Sequence, residues 1–183
     1  MIRRETPADA PAIRAVTAAA FGAAPYSAPP VEPGGPPGEA TLVEWLRADP
    51  GWIPELSLVA VDGGGEDGGG AVIGHVVCTR GRLDGVAALG LGPLSVLPDR
   101  QRAGVGAALM HTVLGAADAR GEPLVCLLGD PDYYAGFGFR PASDFAIRGA
   151  DPDWGDHFQA RALSTYDLSM TGTFAYARPY GRL

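Results

Sequence analysis

Gly104 and Gly106 stand two residues apart behind the polar turn Asp99-Arg100-Gln101-Arg102, where the segment Gly92-Pro93-Leu94-Ser95-Val96-Leu97-Pro98 gives way to an apolar helical pattern. A helix N-terminus presents backbone N–H groups that no residue inside the helix can satisfy, and glycines let an anion approach them closely. The turn therefore suits a phosphate, with Arg100 and Arg102 as cations beside it; the bland alternative is a helix start built of small residues. It is not the dinucleotide pattern G-x-G-x-x-G, because Leu109 stands where the third glycine belongs. Nor is it a Walker-type phosphate loop, which needs a lysine: all 14 cationic side chains of this chain are arginines. The missing lysine also removes Schiff-base chemistry and a pyridoxal-phosphate anchor.

The other residue types that do chemistry are few. His75, His111 and His157 share no metal-ligand spacing with the acidic residues or cysteines, so no metal is expected. Cys78 and Cys126 each sit in an apolar run and read as small buried hydrophobes; a disulfide would require the two runs to be adjacent. The acidic run Asp151-Pro152-Asp153-Trp154-Gly155-Asp156 is either a solvated turn or an attractor for a cationic amine. A net charge of −7 and a pI near 4.8 argue against a nucleic-acid partner and are compatible with cationic ones. The N-terminal arginines are followed by no apolar stretch, and no apolar run is long enough to span a bilayer. The expectation is a reduced, soluble, cytoplasmic protein with no membrane contact. At 183 residues and 46% hydrophobic content, the chain is expected to form one domain over 1–183.

The elements that must position these groups follow from the apolar periods. Ile2 to Glu5 predicts a first strand, and Thr6-Pro7-Ala8-Asp9 a helix start with Thr6 as N-cap and Asp9 at the capping-box position. Residues 22–38, rich in proline and glycine, predict a mobile surface loop, followed by a helix from Glu39 to Arg47. Leu56–Val61, Ala71–Arg80 and Val86–Leu97 predict strands, the first two joined by a glycine-rich loop at 62–70. Gly90 and Gly92 inside the third mark a bulge or a close approach to the backbone. Gly104–Arg120 predicts a helix and Leu124–Leu128 a buried central strand; a short helix over Tyr133–Phe137 and closing strands at 145–148, 157–163 and 173–178 complete the chain. The fold class is α/β, with antiparallel strands first and a strand–helix–strand unit after them.

These residues carry a family resemblance. Gln101-x-x-Gly104-x-Gly106 after Pro93-Leu94-Ser95-Val96 resembles the acetyl-CoA motif of the GNAT N-acetyltransferase superfamily. Gly129-Asp130-Pro131-Asp132-Tyr133-Tyr134-Ala135-Gly136-Phe137-Gly138-Phe139 resembles the tyrosine segment of the same superfamily, in particular its YhbS-like branch. The two matches occur in the family's order and cover about 50 residues closely. The resemblance implies a mixed, largely antiparallel sheet flanked by helices, the GNAT-like acyl-CoA N-acyltransferase fold. It implies acetyl-CoA as cofactor, with the backbone of Leu94, Ser95 and Val96 pairing with the pantetheine arm like an added strand. Amides of Gln101, Arg102, Ala103, Gly104, Val105, Gly106 and Ala107 would hold the pyrophosphate.

The implied reaction moves an acetyl group to a primary amine by direct attack on the thioester. An alkylammonium with a pKa of about 10.4 must lose a proton first, and a thiolate of pKa about 8.5 must gain one on leaving. Tyr134, five residues before Phe139, fits the family's general acid. Its alternative is an aromatic packing residue, with Tyr133 next to it lining the core or a pocket wall and pointing the other way. The base is unassigned, since residues 86–97 hold no carboxylate, a departure from many relatives. His75 is either a proton relay or a buried, hydrogen-bonded core residue, and Ser95 either a contact to the acetyl carbonyl or structural. The acceptor is a small-molecule or peptide amine, and a homodimer is left open. The competing class is an acyl-CoA-binding regulatory module without efficient turnover.

Overall fold

Thr6-Pro7-Ala8-Asp9 starts the first helical segment as its residue types require. The Asp9 carboxylate accepts the Thr6 backbone N–H at 2.7 Å and is itself held by Arg3 at 2.7 and 2.8 Å. The computed structural model describes residues 1–22, 24–63 and 70–183; most of the glycine-rich loop expected at 62–70 lies outside the described residues. The elements are β1 (Ile2–Arg4), α1 (Ala10–Phe21), α2 (Gly38–Arg47), β2 (Ser57–Val61), β3 (Val72–Leu83), β4 (Val86–Val96), α3 (Val105–Ala119), β5 (Leu124–Leu128), α4 (Pro131–Tyr134), β6 (Arg140–Pro141), β7 (Ile147–Arg148), β8 (Phe158–Ala162) and β9 (Gly172–Ala175).

The sheet runs β1-β2-β3-β4-β5-β8-β6, with β9 pairing the end of β3 and β7 pairing β9. Its pairs are antiparallel except β4–β5 and the short β7–β9. This is a mixed α/β fold with a largely antiparallel sheet between helices.

The period of two along each strand sorts the core onto two faces. On one face Leu109, Met110, Val113 and Leu114 of α3 pack on Leu58, Val76, Cys78, Leu89, Leu91, Val125 and Leu127. On the other, Ile13 and Val43 pack on Val59 and Val61, Leu42 and Leu46 pack on Val77, and further along Ala88, Leu124, Cys126, Phe158 and Phe174 form a third group. Each such aliphatic side chain contributes about 1.5–3 kcal/mol by leaving water.

Cys78 and Cys126 fall on opposite faces, so their strands are near each other while their thiols are not bridged. Burial pushes both thiols well above the ordinary range.

The segment 22–38, expected as a mobile surface loop, overlaps the start of α2 at Gly38 and makes contacts to that helix. Glu39, in the first turn of α2, accepts the Ala28 N–H at 2.7 Å and the Ser27 hydroxyl at 3.1 Å, which ties the loop to the helix. The closing strands are also shorter than expected. Phe145 belongs to a 3-10 turn, and the chain beyond Ala175 ends in a 3-10 turn at Arg178–Arg182. No described helix is long and apolar enough to cross a membrane.

Candidate active site

The sheet opens at its centre. β4 and β5 pair only at Leu89–Val125 and Gly90–Cys126, although β4 continues to Val96 and β5 to Leu128. Beyond Gly90 the β5-side edge of β4 therefore has no strand partner. On its other edge β4 stays paired with β3, but Leu91 to Leu94 spans three steps against two from Cys78 to Val76. The extra residue is a bulge at Gly92-Pro93, with a φ of +143° at Gly92. A bulge bends its strand and increases the local twist, which turns β4 away from β5. The Tyr180 hydroxyl donates to the Gly92 carbonyl at 2.5 Å and holds the bulge from the C-terminal segment.

Past the opening the chain makes the glycine turn. Arg102 (φ +60°) and Gly104 (φ +83°) take the left-handed conformation, so successive N–H groups face one concave surface. The first helical bond of α3 runs from Ala108 N–H to Gly104 C=O at 2.9 Å. Arg102, Ala103, Gly104, Val105, Gly106 and Ala107 find no backbone or side-chain acceptor for their N–H groups among the described residues. Gln101 departs from this series: its N–H turns back to Pro98 C=O at 3.4 Å, and its side chain donates to Val96 C=O at 3.2 Å. Arg100 departs as well. It pairs with Asp62 at 2.7 Å and with Asp99 at 3.7 Å, so of the two arginines only Arg102 is without an ion-pair partner among the described residues.

Tyr134 stands just beyond β5. Its ring lies on Gly129, where a Cβ would come within 2.3 Å of Cε2, and it packs edge-on against Phe139 at 5.9 Å. Burial first, then the neighbouring Tyr133, Tyr26 and Asp130, push its phenol well above the ordinary value. Gly129 is anchored in turn, its carbonyl accepting from Gln159 at 3.1 Å and from the His157 ring at 3.2 Å. Gly129→Ala is therefore expected to displace the Tyr134 ring and to lower turnover by about 10–100-fold, as initial rates of thiol release would show.

Tyr133 lies on the glycine-turn side: a Cβ at Gly106 would lie 2.8 Å from its hydroxyl, and its ring meets that of Tyr134 edge-on at 4.9 Å.

An unpaired strand edge, six free amides and two tyrosines thus meet at one break in the sheet. The family described as Acetyltransferase (GNAT) domain matches residues 1–142. The chain belongs to the GNAT acetyltransferase family. It is 32% identical over 149 residues to YjhQ of Escherichia coli, an uncharacterized N-acetyltransferase, covering 77% of this chain and 79% of that one. The crystal structure of the GNAT N-acetyltransferase YhbS of Escherichia coli in complex with CoA superposes with a TM-score of 0.82 at 30% identity, over 100% of this chain and 92% of that one. A GNAT acetyltransferase of Brucella melitensis in complex with acetyl-CoA gives 0.75 at 34% identity, over 98% and 97%.

Within this GNAT chain the remaining candidates fall outside the opening. Ser95 is buried and its hydroxyl bonds Thr17 at 3.2 Å. His75 is fully buried beside a polar network in which Arg47 donates to Glu5 at 2.7 Å and Ser57 donates to Glu5 at 2.5 Å. Because the Ser57 proton goes to the carboxylate, its oxygen accepts from His75 Nε2, 3.0 Å away. That fixes the neutral Nε2–H tautomer, and burial pushes the His75 pKa down in spite of Glu5. The acidic run at 151–156 is a 3-10 turn in which Asp151 accepts the Asp153 N–H at 2.9 Å.

Burial alone would raise Glu5, but the His75 Nε2–H lying 3.4 Å away and the hydrogen bonds from Arg47 and Ser57 hold it at about 2 against the usual 4.5. A carboxylate depressed on folding stabilises fully above its unfolded pKa and loses that contribution as pH falls toward 2. The Glu5→Gln variant is expected to be less stable than the parent at pH 7 by roughly 3 kcal/mol. The gap should close between pH 4.5 and 2, as urea unfolding across that window would show.

Sequence reasoning missed Tyr176 and Tyr180. The interior glycines of β4 were their signal: the Tyr176 ring lies over Gly90, where a Cβ would meet Cδ1 at 2.5 Å, and Tyr180 bonds Gly92.

Proposed function

We propose that this acetyltransferase uses acetyl-CoA and passes the acetyl group to a primary amine at the β4–β5 opening. The observation that carries this is the continuity of the opening: six free amides at the start of α3, an unpaired β4 edge beside them, and the Tyr134 ring over Gly129 just beyond β5. The amides of Arg102 to Ala107 suit the pyrophosphate, with Arg102 adding charge. The edge of Leu94 to Val96 that β5 leaves unpaired suits the amide-bearing arm, as in strand addition. Bound acetyl-CoA supplies a thioester whose carbonyl carbon an amine nitrogen can attack. In that step the C–N bond would form and the C–S bond break; Tyr134 would give its proton to the leaving sulfur, and the proton lost by the amine nitrogen would pass to solvent, from which Tyr134 is reprotonated. Because burial raises the phenol above its ordinary value, Tyr134 stays protonated at neutral pH until the thiolate needs it. That YhbS is bound to CoA and the Brucella enzyme to acetyl-CoA supports the reading.

One observation favours a second reading, a module that binds acyl-CoA without efficient turnover. β4 carries no carboxylate, and His75 is neutral and fully buried. Binding is tested first. Acetyl-CoA at 100 times its Kd is expected to stabilise by about 2.7 kcal/mol, a melting shift of about 5–10 °C. No shift at high acetyl-CoA would refute both readings.

A further inference from the structure

Among the described residues three enclosed side-chain polar atoms lack a hydrogen-bond partner: His75 Nδ1, Thr79 Oγ1 and the Tyr176 hydroxyl. All lie on the face of the sheet away from α3. His75 is opposite Ser95, beyond the bulge, behind the Ser95–Thr17 contact. Thr79 sits beside the Tyr180 hydroxyl but not in hydrogen-bond geometry.

Tyr176 is at the opening itself. Its ring covers Gly90, the last β4 residue paired with β5, and Gly90 has no Cβ to keep the ring away. Tyr180 stacks on that ring at 4.6 Å and Phe174 meets it edge-on at 4.9 Å, so its position is fixed from both sides. Tyr176 is half-buried, with its hydroxyl enclosed near Cys126, Tyr180 and Tyr134. An enclosed hydroxyl without a partner is costly, and native proteins keep one where a ligand or water completes it.

Tyr134 packs with the core on the α3 face, and the free amides lie at the start of α3. Tyr176 lies on the opposite face, over Gly90 where the β4–β5 pairing ends. We propose that Tyr176 binds the acceptor, its hydroxyl oxygen accepting a hydrogen bond from the amine N–H on the face opposite the cofactor turn. The neighbouring rings of Tyr180 and Trp154 offer apolar surface rather than charge, so the acceptor is an amine on an apolar stem.

This inference rests on the acetyltransferase reading, and one titration separates the two. CoA-loaded protein is titrated with phenethylamine, with spermidine as the polar comparison. Phenethylamine should bind the parent more tightly than spermidine, and Tyr176→Phe should weaken it about tenfold. The variant should melt no lower than the parent, since it removes a hydroxyl that bonds to nothing in the chain, and its acetyl-CoA melting shift should be intact. Equal phenethylamine affinity in the variant, no amine binding by the parent, a preference for spermidine, or a melting point lower by more than about 5 °C would each overturn the proposal. Loss of the acetyl-CoA shift in the parent would instead overturn the acetyltransferase reading.

Discussion

Tyr134→Phe should lower the rate of acetyl-CoA-dependent thiol release by about 10²–10⁴-fold, the usual range for a positioned general acid. Affinity for acetyl-CoA should be unchanged. The substitution removes one oxygen and keeps the ring, and the ring does the packing: it fills the space over Gly129 and meets Phe139 and Tyr133 edge-on. Stability should therefore barely move, which separates the acid role from a packing role. The pH profile adds a second check. Because burial raises the phenol above its ordinary value, its acid form persists through the alkaline range, and the parent should show no falling limb from this group below pH about 10. An unchanged rate in the variant would remove Tyr134 from the reaction.

Gly104→Val should weaken acetyl-CoA binding by about 10–100-fold. Gly104 has a φ of +83°, a conformation that costs a β-branched residue about 1–3 kcal/mol. Nothing crowds the position, so the effect is conformational and not a clash. Relieving the strain would rotate the peptide units that aim the amides of Arg102 to Ala107 at one anion. The loss should appear in Kd and KM for acetyl-CoA, and kcat at saturation should recover. Gly115→Ala is the matching control. It sits mid-helix in α3 with open space around it, so it should leave affinity alone and stabilise by about 0.5–1 kcal/mol.

Much of this site is local, which is why it was legible in the sequence. The glycine turn and the tyrosine segment are each short and continuous, and their spacing survives folding because one helix and one strand connect them. Gly90 and Gly92 announced a bulge or a close approach without saying what approaches. The answer lies far along the chain, in Tyr176 and Tyr180, whose positions depend on β9 pairing with β3.

The same limit explains the departures. Arg100 looked free beside the turn, but its partner Asp62 comes from the end of β2, and only tertiary structure brings them together. His75 could not be told from a relay until Glu5, Ser57 and Arg47, from three separate elements, were seen to fix its tautomer. The orientation of Tyr133 depended on how α4 settles against α3. Composition also left out the contacts of the loop after α1, because prolines and glycines say nothing about the Glu39 carboxylate that bonds Ser27 and Ala28.

Free thiol release from acetyl-CoA, followed across a panel of small amines and peptides with free N-termini, tests the central claim most directly. The account predicts amine-dependent release with at least one acceptor, one thiol per acetylated amine, nearly abolished in Tyr134→Phe. Tight acetyl-CoA binding with no amine-dependent release across the panel would contradict it and leave a binding module in its place.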